Sequence, residues 1–153
     1  MKKIIVLIIP FLLLVGCTNK LEEEKYEYLT YKSDLQEREE FKTLEELDFN
    51  SYFNIVRETE EKINYSIVID NPKIDMYNIK ALLIHDFMTE DVFPTIGIFN
   101  EPATLLVDSS EKIILEGTIQ TDKKITDTKF KLYLEYEDKD GLHNKIYYEV
   151  ARG

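Results

Sequence analysis

Residues Phe130 to Val150 read FKLYLEYEDKDGLHNKIYYEV, two runs of alternating apolar side chains on either side of an acidic, glycine-containing turn. In an extended chain successive side chains point to opposite faces. Phe130, Leu132, Leu134 and Tyr136 therefore share one face, and Ile146, Tyr148 and Val150 share one face of the next run. Every one of these positions is even, so residue numbers facing each other must sum to an even value if apolar is to meet apolar. A two-residue Asp140-Gly141 turn gives an odd sum and sets apolar against polar. A three-residue loop, Lys139-Asp140-Gly141, gives 280 and puts Gly141 where a left-handed residue is needed. This register pairs Phe130 with Val150, Leu132 with Tyr148 and Leu134 with Ile146 on the inner face. On the outer face it sets Lys131 against Glu149, Tyr133 against Tyr147 and Glu135 against Lys145, an aromatic pair flanked by opposite charges.

The same period of two extends back to Ser51. Ile63, Tyr65, Ile67 and Ile69 alternate with Asn64, Ser66 and Asp70, and Asn71-Pro72 ends that strand. Ile79 to Phe87 is apolar on both faces apart from Lys80, His85 and Asp86, which predicts a central strand. Pro94 to Phe99, Thr104 to Val107, Lys112 to Gln120 and Tyr52 to Arg57 complete about eight short strands. With no crossover helices, that pattern predicts an antiparallel β-sandwich over residues 51–153. The region looks like the immunoglobulin-like domains of Gram-positive lipoproteins, on strand count and on the Phe-x-Leu-x-Leu-x-Tyr hairpin with its acidic Gly turn. The disulfide and buried tryptophan of antibody-type domains are absent, so the likeness is architectural.

Upstream, Ser33-Asp34-Leu35-Gln36 has the form of a capping box and predicts a short surface helix from Asp34 to about Lys42, with a further turn capped by Thr43 through Glu46. Its apolar stripe is thin: Leu35, Phe41, Leu44 and Leu47. Residues 26–50 are thus expected as a helical segment packed on the sandwich, with Tyr26 to Tyr31 open between strand and linker. Thr18 to Lys25 reads as a polar tether that could reach about 28 Å if extended.

The first residues decide the address. Lys2 and Lys3 precede an unbroken apolar run from Ile4 to Gly16, too short for the roughly 20 residues of a stable span, and of the form of an export signal. The run ends Leu14-Val15-Gly16-Cys17. This resembles the lipobox of bacterial lipoproteins, and the resemblance implies cleavage between Gly16 and Cys17, with a diacylglycerol thioether and fatty acyl (palmitate-type) chains on Cys17. Two chains at about 0.8 kcal/mol per buried methylene suffice for stable attachment. The expected location is the extracytoplasmic face of the cell membrane, with membrane lipid as the first partner.

The expected mature part, 137 residues from Cys17, is one domain plus a tether. Cys17 is the single cysteine, so no internal disulfide staples the fold. With Lys2 and Lys3 removed, 17 basic side chains stand against 30 acidic ones, a balance of −13. Such a domain is repelled by nucleic acid and by anionic head groups. The abundance of Ile, Lys, Glu, Asn and Tyr resembles proteins of low-GC Gram-positive bacteria.

Little in the chain carries chemistry. His85 and Asp86 are strand neighbours and point to opposite faces, which is no catalytic dyad, and His143 falls at the hairpin end. Asp138-Lys139-Asp140-Gly141 resembles the opening of a calcium loop but lacks the third acidic position and the glutamate near the twelfth. Ser109-Ser110 has no Gly-x-Ser-x-Gly elbow, and no phosphate-binding glycine loop occurs among the 5 glycines. No cofactor or metal is expected. The reading is a non-enzymatic interaction module for an envelope protein or cell-wall polymer, acting through an exposed Tyr133–Tyr147 patch; the alternative is a small envelope hydrolase using His85.

Overall fold

A computed structural model of the chain describes residues 2–87, 89, 92–121 and 128–151, with side chains described from residue 19 onward. One helix, α1 (Lys2–Glu37), precedes eight strands: β1 (Asn50–Glu58), β2 (Lys62–Asp70), β3 (Met76–Ile84), β4 (Thr95–Ile96), β5 (Ala103–Leu105), β6 (Ile113–Gln120), β7 (Lys129–Glu137) and β8 (His143–Ala151). They form two antiparallel sheets. The first has the order β1-β2-β6; the second runs β4-β3-β7-β8, with β5 also on β3.

The hairpin register is the one that parity demands. Phe130 faces Val150, Leu132 faces Tyr148, Leu134 faces Ile146 and Tyr133 faces Tyr147. Asp138 and Leu142 close the loop through a 3.0 Å backbone bond, and Gly141 has φ 77°, a conformation that a side chain disfavours. Asp138 Oδ1 accepts the Asp140 and Leu142 amides at 2.9 and 3.0 Å. Turn formation therefore accounts for this carboxylate.

Two apolar layers hold the molecule together. Between the sheets, Ile63, Tyr65, Ile67 and Ile69 of β2 and Leu115 of β6 meet Ile79, Ala81 and Leu83 of β3 and Phe130, Leu132 and Leu134 of β7. Odd positions of β2 meet even positions of β7, as the sequence pattern requires. The second layer lies on the other face of the five-stranded sheet, where Tyr28 and Leu35 of α1 pack on Leu82, Ile84, Ile98 and Tyr133. The order is therefore helix, five-stranded sheet, three-stranded sheet.

This helix corrects three expectations. Thr18 to Lys25 is not an extended tether but helix, as is Tyr26 to Tyr31. Glu, Lys and Leu are good helix formers, and Lys20 and Glu24 approach to 3.8 Å one turn apart. Ser33 does not open a helix; it lies within one, its hydroxyl donating to Glu37 Oε1 at 3.1 Å. Leu35 is fully buried, as its place in the apolar stripe implied, because it is a contact of α1 with the sheet. The Thr43 turn does form over Leu44–Glu46, with Glu46 Oε2 accepting from the Thr43 amide at 2.7 Å. Among the described residues no helix is long and apolar enough to cross a membrane.

Candidate functional site

Tyr133 and Tyr147 do come together, with ring centroids 5.3 Å apart. They are not an exposed patch. Tyr133 is fully buried and Tyr147 partly so, because α1 covers this face. Tyr31 stacks on Tyr133 at 4.2 Å, and Arg38 lies over the Tyr147 ring at 3.5 Å.

The polar groups of that face pair with α1 and with one another. Tyr31 Oη stands 2.8 Å from Glu27 Oε1 and 3.2 Å from Glu135 Oε1, and its single proton serves one at a time. Tyr133 Oη donates to Glu135, Lys80 pairs with Glu27, and Tyr147 Oη donates to Asp34 Oδ2 at 2.5 Å. Burial and the carboxylate acceptor raise the Tyr133 hydroxyl far above its ordinary range, and burial with Asp34 raises Tyr147 to about 12. Both phenols stay protonated and act as donors.

The histidines separate. His143 is exposed, 3.4 Å from Glu137. His85, just beyond β3, is buried among the rings of Tyr65, Phe93 and Phe130, whose centroids lie 5.7, 5.1 and 5.7 Å away. Its Nδ1 accepts the Phe87 amide at 3.2 Å, while Nε2 is buried with no partner among the described residues. Burial lowers its pKa to about 4, so the ring is neutral at physiological pH. Asp86, beside it, is exposed.

A second unpartnered buried atom lies next to His85, and sequence reasoning missed it. Tyr65 is 1% exposed, and its hydroxyl has no hydrogen-bond partner among the described residues. Tyr65 faces Gly117 across the β2–β6 ladder, and a Cβ on Gly117 would collide with the Tyr65 hydroxyl. Gly117 is what lets the tyrosine lie across the neighbouring strand. Its presence inside an otherwise alternating strand was the available signal, since a lone strand glycine marks close approach.

Tyr65 and Gly117 help to line a cavity of about 360 Å³. Asn64, Glu116 and Thr118 supply hydrogen-bonding groups to its wall, and Val56 and Val92 supply apolar surface. Thr118 already donates to Asn64 Oδ1 at 3.0 Å. Among the described residues no cluster of His, Cys, Asp or Glu suits a metal ion. The lining thus mixes amide, hydroxyl and aliphatic groups with the charged side chains of Lys62 and Glu116, a combination suited to holding a polar ligand surface beside an apolar one.

Residues Gly16 and Cys17 belong to α1, but their side chains lie outside the described ones, as do residues 122–127 and 152–153 of the sandwich span. No family model, curated protein or solved structure matches the chain.

Proposed function

We propose that the chain is a bacterial lipoprotein, held on the outer face of the cytoplasmic membrane by a lipid on Cys17, whose sandwich is a non-enzymatic binding module for an envelope protein or cell-wall polymer. The strand order supports an immunoglobulin-like reading in part: β1-β2-β6 against β4-β3-β7-β8 follows the order A-B-E and C′-C-F-G, whereas β5 pairs with β3 instead of joining the three-stranded sheet as strand D does.

The observation that carries the binding role is the Tyr65 cavity and where it stands relative to α1. The helix runs alongside β3 in the same direction. Glu27 meets Lys80, Asp34 meets Tyr147 opposite Tyr133, and Phe41 just past the helix approaches Lys131 opposite Ile84. The start of the helix, where the lipobox lies, is therefore at the end of the sandwich that holds the β7–β8 turn. The cavity is at the opposite end, by the β1–β2 turn and the segment after β3. A lipid on Cys17 would present it away from the bilayer. The Tyr133–Tyr147 face is covered and is no longer the proposed binding surface.

Two measurements test the reading. The tryptic peptide beginning at Cys17 and ending at Lys20 should carry a diacylglycerol mass; a free thiol with the leader attached ends the lipoprotein assignment. Purified protein should be retained by envelope preparations, and Thr118→Trp, which fills the cavity from its wall, should lower retention at least about tenfold, as loss of an anchoring contact does. Equal retention by both proteins rejects the cavity as the binding site.

A further inference from the structure

We infer that the end of the sandwich built from residues 71–75, 106–112 and 138–142 rests on the lipid surface from which the chain is anchored. The inference depends on the Cys17 lipid proposed above and adds an interaction surface to it.

The heights can be worked out from the fold. Tyr31 stacks on Tyr133 and lies 3.2 Å from Glu135, which fixes the level of the helix against β7. From Tyr31 back to Cys17 the helix extends about 21 Å at 1.5 Å per residue. From Glu135 forward to Asp140 the strand and its turn extend about 17 Å, and from Lys80 back to Ile74 about 20 Å, at about 3.3 Å per residue. Lys80 and Glu135 face each other in the ladder, so these spans start from one level. The helix packs on the sheet in the direction of β3, so Cys17 and the turn tips lie at the same end of the molecule.

The side chains at those tips suit that position. Leu142 is 63% exposed, Val107 38%, and Leu106 and Ile74 37% each. They come from three separate connections, and all fall at the same end of the sheets. Met76 faces Leu105, Tyr77 faces Glu137, and Ile69 faces Ile113. Apolar groups at separate loop tips have no common protein contact to make, but they can enter the interface of a bilayer together, to a depth of about 5–10 Å. The charges at this end are mostly acidic. Asp75, Asp108, Glu111, Asp138 and Asp140 stand against Lys73, Lys112 and Lys139. The fitting surface is therefore zwitterionic, since anionic head groups would repel it.

The rigidity of α1 is what makes the contact specific. An extended tether would let the domain tumble, whereas a helix that packs Tyr28 and Leu35 into the sheet carries the orientation of the anchor to the sandwich.

Once Cys17 is alkylated the chain has no other thiol, so an introduced cysteine takes a fluorophore uniquely. Lipidated protein labelled through Leu142→Cys, Ser110→Cys or Glu60→Cys is to be placed on phosphatidylcholine vesicles containing a head-group quencher. Glu60 is exposed in the β1–β2 turn, at the far end. Labels at 142 and 110 should be quenched at least about threefold more than the label at 60, as a contact confined to the interface requires. Equal quenching at all three positions of a protein shown by mass to carry the lipid overturns the contact and leaves the anchor reading standing. A chain that carries no lipid defeats both. Ser110→Cys replaces a side chain outside the core, so a folding defect of the Leu142 variant does not decide the outcome.

Discussion

Replacing His85 with phenylalanine should flatten the dependence of stability on pH. The ring is enclosed by Tyr65, Phe93 and Phe130, and burial holds its pKa near 4 against an ordinary value near 6.5. The unfolded chain therefore binds a proton at a pH where the folded chain does not. Stability rises with pH wherever the unfolded state holds more protons. The contribution is thus complete above about pH 6.5 and is lost progressively as the pH falls toward about 4. Integrating the two titrations from about pH 7.5 to about pH 4.5 gives a loss of about 2–3 kcal/mol from this residue. Phenylalanine has nearly the same shape and no proton to bind. It also removes the unpartnered Nε2, at the expense of the Phe87 amide that Nδ1 accepts. The two changes oppose each other at neutral pH, so the informative quantity is the slope and not the absolute stability. Urea unfolding of the chain from residue 18 onward should be followed at both pH values for both proteins. Carboxylates contribute to each curve alike and cancel in the comparison. The His85→Phe protein should lose about 2–3 kcal/mol less than the parent on acidification. Parallel losses, or a ring titrating near its ordinary value by NMR, would refute the burial argument.

Two further predictions concern close packing. Gly117→Ala should destabilise the sandwich by about 1–3 kcal/mol through its clash with the Tyr65 ring end and Pro94, and Tyr65→Phe, which removes only the oxygen, should restore part of the loss; additive effects in thermal unfolding of the four proteins would show that the two residues are not in conflict. Leu35→Ala should cost about 2–5 kcal/mol by opening a void between α1 and the sheet, with amide exchange accelerated first in residues 27–37; uniform acceleration across β7 and β8 would mean that the helix does not separate on its own.

The sandwich was legible because strand alternation is a local signal with a non-local consequence. Parity in Phe130 to Val150 fixed every pair of that hairpin, including Tyr133 with Tyr147, and Asn71-Pro72 and Lys139-Asp140-Gly141 marked where strands stop. Boundaries slipped where the pattern was interrupted. The strand expected to run to Phe87 ends at Ile84, because His85 turns inward among aromatic rings and the chain leaves the ladder there. The cavity was not legible, since its walls come from β1, β2, β6 and the segment after β3, and alternation within one strand says nothing about a space between four. Gly117 alone pointed to it.

Tyr133, Tyr147, Lys131 and Glu135 alternate with the core residues of β7 and β8, and a strand face of phenols and charges ordinarily faces water. What such a composition establishes is that its groups need hydrogen-bond partners, not who provides them. Here α1 and the sheet itself provide them. Glu27 and Asp34 accept from Tyr31 and Tyr147, Glu135 accepts from Tyr133, and Arg38 covers the Tyr147 ring. The residues doing this lie three, four or seven apart, at 27, 31, 34 and 38, a helical spacing in a stretch whose first half also reads as strand or linker. Each segment taken alone has the composition of something exposed. Only their complementarity, carboxylates on the helix against phenols and Lys80 on the sheet, shows that they face each other. A polar stripe at helical spacing next to a polar strand face is therefore better read as one possible interface than as two surfaces.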